Sequence, residues 1–317
     1  MTTLKQPDRV TVVIVTYNGV AWIGQCLDSI FRGTVSPSVV VVDNASTDDT
    51  VEIIRSTFPK VSLIENEQNL GFGQANNLGI CEALRAKADF VFLLNQDTTI
   101  NDDTISRLLR AFQESDDKYA IFSPVHFDGS GEALDFGFAS YIADAVPNVA
   151  VDELISDKKV RVFEVDFVNA AAWMIRADVF RRIGGFAPLF FHYGEDRDFV
   201  SRLHFHGLKI AVATGCEIRH YREARNMDVS SWTDAKLQRY YYTGWLARSC
   251  DMRKTLSGGW FAGFRWAFGE GIAAIFKAKF RIIAVVTWTL IKVVRVMPDI
   301  REHRNSVKDP EPFSFLS

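Results

Sequence analysis

Cysteine is scarce in this chain. The four that occur in 317 residues, Cys26, Cys81, Cys216 and Cys250, stand far apart with no CxxC pair. That spacing excludes a zinc knuckle and a disulfide scaffold and leaves reduced, mostly buried thiols of a cytosolic protein as the expectation. Long apolar runs are also missing. The longest, Ile282 to Ile291, is about half of the ~18–20 residues that span a bilayer. The first residues, Met1 to Arg9, are polar, so no signal peptide is expected. There is no basic excess: Lys plus Arg number 36 against 39 Asp plus Glu, a net charge of −3. A nucleic-acid binder normally carries the opposite balance, and none is expected as a partner. What is present is ordinary globular material, 48% apolar and 24% charged, with 25 phenylalanines. Disordered and low-complexity classes are thereby excluded.

The first half alternates two patterns. Val10 to Thr16 is a continuous β-branched run, as in a strand buried on both faces. Trp22 to Arg32 has helical spacing and Gly33 closes it. Val39 to Val42, Val61 to Ile64 and Phe90 to Leu94 predict further strands, separated by helices over about 48–57 and 73–86 and followed by one over 102–112. This β-α-β-α-β-α-β order implies an α/β fold, a mostly parallel central sheet with helices on both faces. Ligands bind such sheets beyond the carboxyl ends of the strands. Polar residues collect at those ends: Thr16-Tyr17-Asn18, Asp43-Asn44, Asn66 to Asn69 and Asn95-Gln96-Asp97.

From Ser123 to Lys159 the pattern is irregular, read as loops and short strands. Strand character returns over 164–176, a short helix over 177–183 stops at Gly184-Gly185, and 198–205 fits a helix before a last strand, Lys209 to Ala213. Composition shifts after His220, which puts a boundary near residue 225. Residues 1–225 then form one domain, whose regular part runs to about 122 and whose irregular part starts at about 123. Residues 226–317 form a helical region.

Several of these residues suit chemistry. Asp43 ends a buried strand, where a carboxylate can accept from a base or ribose; capping the next helix is the plainer alternative. Gly71 and Gly73 lie in a loop entering a helix, and without side chains they would let the backbone approach a nucleotide. Asn76 stands where a dinucleotide fingerprint needs its third glycine, and the loop follows the third strand, which disfavours a nicotinamide enzyme. Asp97 suits a hard divalent cation that bridges phosphates, with Asn95 a weaker neutral helper. In Phe190 to Phe199 acids follow an aromatic run, and apolar surface beside a carboxyl raises its pKa toward the range of a general base. Glu195, Asp196 and Asp198 also fit as first-turn acids of a helix. His220 follows the last strand; a lone histidine is more often structural than a ligand.

Together the motifs VIVTYNG at 13–19, VVDNASTDDT at 41–50, NLGFGQANNLG at 69–79, LLNQDT at 93–98, GGF at 184–186 and GEDRDF at 194–199 resemble the family 2 glycosyltransferases of the GT-A fold, most closely the rhamnosyltransferase-like branch. The resemblance implies inverting transfer of a sugar from a nucleoside-diphosphate donor to a hydroxyl of a glycan or lipid-linked acceptor, with dTDP-rhamnose the first expectation. By it Thr16, Tyr17, Asn18, Asp43, Asn69, Gly71, Gly73 and Gln96 hold the donor nucleotide. Asp97 and His220 hold Mg²⁺ or Mn²⁺, and Asp196 is the catalytic base. Asn95 departs from a pattern that commonly carries an acid there. Trp173 and Glu195 are candidate acceptor contacts, with core packing the alternative for Trp173. A catalytically idle carbohydrate-binding or scaffold protein of the same fold is the competing reading, and Asn95 is the feature that favours it.

If residues 260–296 were one helix, Lys277, Arg281, Lys292 and Arg295 would fall within an arc of roughly 60°. A basic face beside Ile, Val, Phe and Trp is what rests on an anionic leaflet. The expectation is a cytoplasmic protein, peripheral on the inner face of the cell membrane. Packing on the catalytic domain or on a second copy of the chain is the alternative.

Overall fold

The computed structural model describes residues 8–145, 159–221, 232–276 and 280–316. Strands β1 (Val10–Thr16), β2 (Ser38–Asp43), β3 (Ser62–Glu65) and β4 (Phe90–Asn95) alternate with helices α1 (Ile23–Phe31), α2 (Thr50–Thr57) and α3 (Phe72–Arg85). All pairs in the order β3-β2-β1-β4 are parallel, as the β-α alternation requires. Alternate β1 residues face opposite cores: Val13 packs on one side with Val40, Ile80 and Leu93, while Val12 and Ile14 pack on the other with Leu27, Val41 and Phe92. That two-sided burial is why the strand is apolar throughout instead of alternating.

The second half extends the sheet with mixed pairing. It contains β5 (Thr98–Ile100), α4 (Thr104–Gln113), β6 (Tyr119–Asp128), α5 (Phe136–Ala145), β7 (Val162–Val165), β8 (Ala172–Arg176), α6 (Ala177–Ile183), α7 (Glu195–Phe205) and β9 (Lys209–His220). The full order is β3-β2-β1-β4-β8-β6-β9-β5, with β7 on β9. The last strand runs past the expected end at Ala213. Its ladder with β6 jumps from Ala213 opposite Pro124 to Glu217 opposite Val125, and Gly215, at φ 67°, sits inside that irregularity. The bulge lets the strand absorb polar residues and continue to His220.

Beyond residue 231 four helices follow: α8 (Asp234–Cys250), α9 (Leu256–Phe276), α10 (Phe280–Arg295) and α11 (Met297–Ser306). The described parts of the expected helix over 260–296 are helical, as α9 to Phe276 and α10 from Phe280. These helices build a third core from Leu237, Tyr241, Trp245, Val285, Val293 and Ile300, which takes in Ala187 and Phe190 of the preceding part. The basic stripe is partly spent inward. Arg281 bonds Asp234 and the Trp232 carbonyl, and Lys292 lies over the rings of Tyr242 and Trp288. Lys277, and the boundary near residue 225, lie outside the described residues. No described helix is long and apolar enough to cross a membrane.

Buried polar contacts fasten these helices to α7. Asp198 accepts from Arg202 at 2.8 Å, and its other oxygen meets His303 of α11 at 2.7 Å, with all three side chains buried. The remaining guanidinium donors of Arg202 go to the carbonyls of Ile183 and Gly185. The tail returns to the same place: Gly185 N–H donates to Ser314 at 2.7 Å and the Asn77 side-chain amide donates to Phe315 at 2.7 Å. Asn77 also exchanges a pair of hydrogen bonds with the Phe186 backbone, donating to its carbonyl and accepting from its N–H.

Candidate active site

The parallel register brings the polar strand ends to one rim. Thr16 pairs with Asp43, Asp43 with Glu65, and Val15 with Asn95. The loops above are tied to one another. Asp43 accepts from the N–H and hydroxyl of Ser46. Asn18, held at φ 47°, accepts from Thr47 N–H and donates its own N–H to Ser46. Asn44 organises the next loop: its amide donates to Asn69, and its oxygen accepts from Leu70 N–H and Asn66. Tyr17 and Asn69 stand exposed at this edge.

Other donor candidates are placed differently. Thr16 is fully buried and donates to Gln96 Oε1 at 2.5 Å, which also accepts from Tyr17 N–H. Thr16 and Gln96 thus pin the turn after β1 and do not present free groups to a nucleotide. Gly71 and Gly73 allow close approach, but of protein. A Cβ on Gly71 would lie 1.9 Å from the Phe191 carbonyl oxygen, and one on Gly73 would lie 2.9 Å from Phe186 Cβ. The loop is bare because the 186–191 segment presses on it.

Across the rim, β5 pairs antiparallel with β9, setting Thr98 opposite His220. Asp97 and His220 become neighbours through this pairing, and Tyr221 N–H closes it by donating to the Asp97 carbonyl at 2.8 Å. His220 Nε2 lies 3.4 Å from Asp97 Oδ1, and Nδ1 lies 3.7 Å from Asp135 Oδ2. His220 and Asp135 are buried, whereas a quarter of the Asp97 side chain is exposed. Asp135 is itself held by α5, accepting from Phe138 N–H at 2.9 Å. One carboxylate oxygen and one imidazole nitrogen, with a second carboxylate behind the far ring nitrogen, form a donor set that fits a divalent cation such as Mn²⁺ or Mg²⁺. Asn95 adds no charge; its backbone bonds Ala171 and Thr98.

Asp196 lies in the first turn of α7. Burial raises its pKa, while the neighbouring Arg197 charge and the backbone amides of Arg197 and Ala170 pull it back. The Ala170 contact links the two sides: the adjacent Ala171 carbonyl accepts from Asn95 N–H at 2.9 Å, two residues before Asp97. The short run at the start of β8 thus joins the end of β4 to the Asp196 carboxyl. Glu195 is 5% exposed, its Oε2 has no hydrogen-bond partner, and its pKa is pushed up to about 8 by burial and by Asp196. It is a buried carboxyl beside Asp196, favoured in its neutral form, and not an exposed acceptor contact.

A model described as glycosyl transferase family 2 matches residues 11–184, more than half of the chain. The chain belongs to glycosyl transferase family 2. A second model, the N-terminal domain of galactosyltransferase, matches residues 163–226, the span that carries Asp196 and His220. Among curated relatives, N-acetylglucosaminyl-diphospho-decaprenol L-rhamnosyltransferase of Mycobacterium tuberculosis is 24% identical over 288 residues, covering 84% of this chain and 91% of its own. The O-antigen chain rhamnosyltransferase RfbN of Salmonella typhimurium is 25% identical over 296 residues, covering 90% and 87%. Two solved structures share the fold. The mannosyltransferase PcManGT of Pyrobaculum calidifontis, in complex with GDP-Man and Mn²⁺, has a TM-score of 0.58 at 17% identity, over 96% of this chain and 87% of that one. S. aureus TarS 1–349, in complex with UDP-GlcNAc, has a TM-score of 0.59 at 16% identity, over 95% and 90%. The fold is thus that of the GT-A glycosyltransferases.

For this family 2 member, one more sequence expectation is corrected. Trp173 is fully buried in β8, opposite Leu93 and packed on Phe199 with ring centroids 6.0 Å apart, so it belongs to the core and cannot touch an acceptor. Asp135 is the site residue missing from the sequence reading. It lies in an irregular Gly/Asp/Ala-rich stretch, and only the fold brings it to His220. A second group, Asp198, Cys250 and His303, has ligand atoms within 4.8 Å of one another. Arg202 and His303 already occupy the Asp198 carboxylate, and burial raises the Cys250 thiol pKa well above its ordinary value, so this cluster is an ion pair in a core.

Proposed function

We propose that this glycosyltransferase moves a sugar, with inversion, from a nucleoside-diphosphate donor to a hydroxyl of a lipid-linked glycan. The observation that carries the proposal is the joining of the Asp97–His220 pair to Asp196 through Ala170 and Ala171. Tyr17, Asn18, Asp43 and Asn69, on the rim above β1 to β3, would hold the nucleotide. Asp97 and His220 would hold a divalent cation, which when bound supplies charge neutralisation for the leaving diphosphate. Asp135, 3.7 Å from Nδ1, would favour the ring orientation that turns Nε2 to the cation. Asp196 accepts the proton of the attacking hydroxyl; its raised pKa makes it a better base than an exposed aspartate. The Arg197 charge and the Ala170 amide oppose that rise.

A rhamnosyl donor and a diphospholipid acceptor are favoured by the names of the relatives, a rhamnosyltransferase acting on a diphospho-decaprenol and O-antigen chain rhamnosyltransferases. The direct test is turnover of a nucleotide-sugar panel that includes dTDP-rhamnose, UDP-hexoses and GDP-mannose. The assay uses a prenyl-diphosphate-linked acceptor with and without Mn²⁺, and reads product anomeric configuration by NMR. Cation-dependent transfer with inversion is expected. Release of free sugar alone, or retention, would contradict the proposal.

A further inference from the structure

Among the cavities that the proposed mechanism does not use, one lies beside the segment that leads to Asp196. A groove of about 480 Å³ opens between the loop at 189–192 and helices α8 and α10. Its volume lies within the range of small-molecule sites, which is ~300–1,000 Å³. Its walls include Leu189, Phe191, Tyr242 and Trp288, and no aspartate or glutamate lines it. Two cations do, Arg239 and Lys292. Lys292 Nζ sits 4.1 Å from the Tyr242 ring centroid and 4.9 Å from that of Trp288, held on rings instead of by a carboxylate. Among the described residues neither Arg239 nor Lys292 has an ion pair. Phe191 and Trp288 are exposed, and the apolar surface of α10 continues outward through Ile291 and Val294.

The groove borders the segment that runs into Asp196. Phe191 meets the donor-side loop, where a Cβ on Gly71 would strike its carbonyl. Gly194, immediately before Glu195 and Asp196, packs between Phe190 of the groove wall and Ala247 of α8. The segment before α7 therefore touches the loop at Gly71, leads into Asp196 and forms one wall of the groove.

An apolar trough with two cations and no acids complements a molecule with an apolar chain and a compact anionic head. We infer that this groove holds the lipid–diphosphate portion of the acceptor, the phosphates on Arg239 and Lys292 and the first apolar units against Phe191, Tyr242 and Trp288. This rests on the glycosyltransferase reading and deepens it, since it says which surface selects the acceptor.

Isothermal titration of the full chain with farnesyl diphosphate in EDTA, which silences any cation-dependent site, tests it. Farnesol and inorganic pyrophosphate are the single-feature probes. Saturable binding of farnesyl diphosphate, at least tenfold tighter than either probe, is expected. Arg239→Gln and Lys292→Gln should each weaken it tenfold or more with unchanged circular dichroism. Absent binding, pyrophosphate binding as tightly as farnesyl diphosphate, or indifference to both substitutions would overturn the assignment. Vesicles of phosphatidylglycerol that bind the double variant as well as the wild type would also overturn it, because this face would then not depend on the two cations. Binding of nucleoside diphosphate with Mn²⁺ to the wild-type chain separates the two failures. If it persists while farnesyl diphosphate fails to bind, the groove assignment falls and the transferase reading stands.

Discussion

His220 draws its role from the carboxylates on its two sides. Asp97 Oδ1 lies 3.4 Å from Nε2 and Asp135 Oδ2 lies 3.7 Å from Nδ1, where a bound cation would draw them together. Outer carboxylates of this kind contribute about 10–100-fold in metal affinity. Asp135→Asn is therefore expected to weaken Mn²⁺ binding, read by electron paramagnetic resonance, by about that factor, with the thermal melt of the apo protein little changed. Unaltered Mn²⁺ affinity would remove Asp135 from the site. Glu195 yields a pH prediction. Its folded pKa of about 8 stands above its ordinary 4.5, so the protonated form is the one the fold favours. Stability is full below about pH 4.5 and declines as pH rises through about 8. Glu195→Gln should remove that decline, a difference on the order of a few kcal/mol between pH 5 and pH 9 in urea unfolding. Parallel losses in both proteins would show that the carboxyl is not titrating there.

At the scale of elements, α7 carries the proposed base, Asp196, at one end and an anchor for the distal helices two residues beyond it. Asp198 is held at about 2 against an ordinary 3.8, because the His303 and Arg202 charges and their hydrogen bonds outweigh its burial. Its stabilisation is present above about pH 3.8 and is lost as pH falls through about 2. His303→Ala leaves a buried carboxylate with one partner, which should cost roughly 3 kcal/mol in chemical unfolding. A loss under about 0.5 kcal/mol, the range of an ordinary surface substitution, would contradict the anchor. This scale also shows where sequence reading succeeds and stops. The parallel half was legible because buried strands are apolar on both faces and break into polar residues at one rim. The end of β9 was not, because a bulge at Gly215 and polar residues hide a strand from periodicity. Gly71 and Gly73 were recognised as places of close approach, but what approaches is the 186–191 segment, which only the tertiary fold reveals. Trp173 looked like a contact because its neighbours line a site; its own side faces the core. Asp135 had no pattern to announce it.

In the whole molecule, the parallel half supplies the rim proposed for the nucleotide and one acid, Asp97. The mixed half supplies His220, Asp135 and Asp196. The helices beyond residue 231 close one side of the base-bearing loop and build the groove beside it. The central claim is a division of labour between Asp97 and Asp196, and it is tested most directly on one protein. Mn²⁺-dependent nucleoside-diphosphate binding and sugar transfer are measured together on Asp196→Asn. The expected result is nucleotide binding within about threefold of wild type and transfer reduced by about 10²–10⁴-fold, the usual contribution of a general base. Transfer surviving within tenfold of wild type, or nucleotide binding lost together with transfer, would contradict the account.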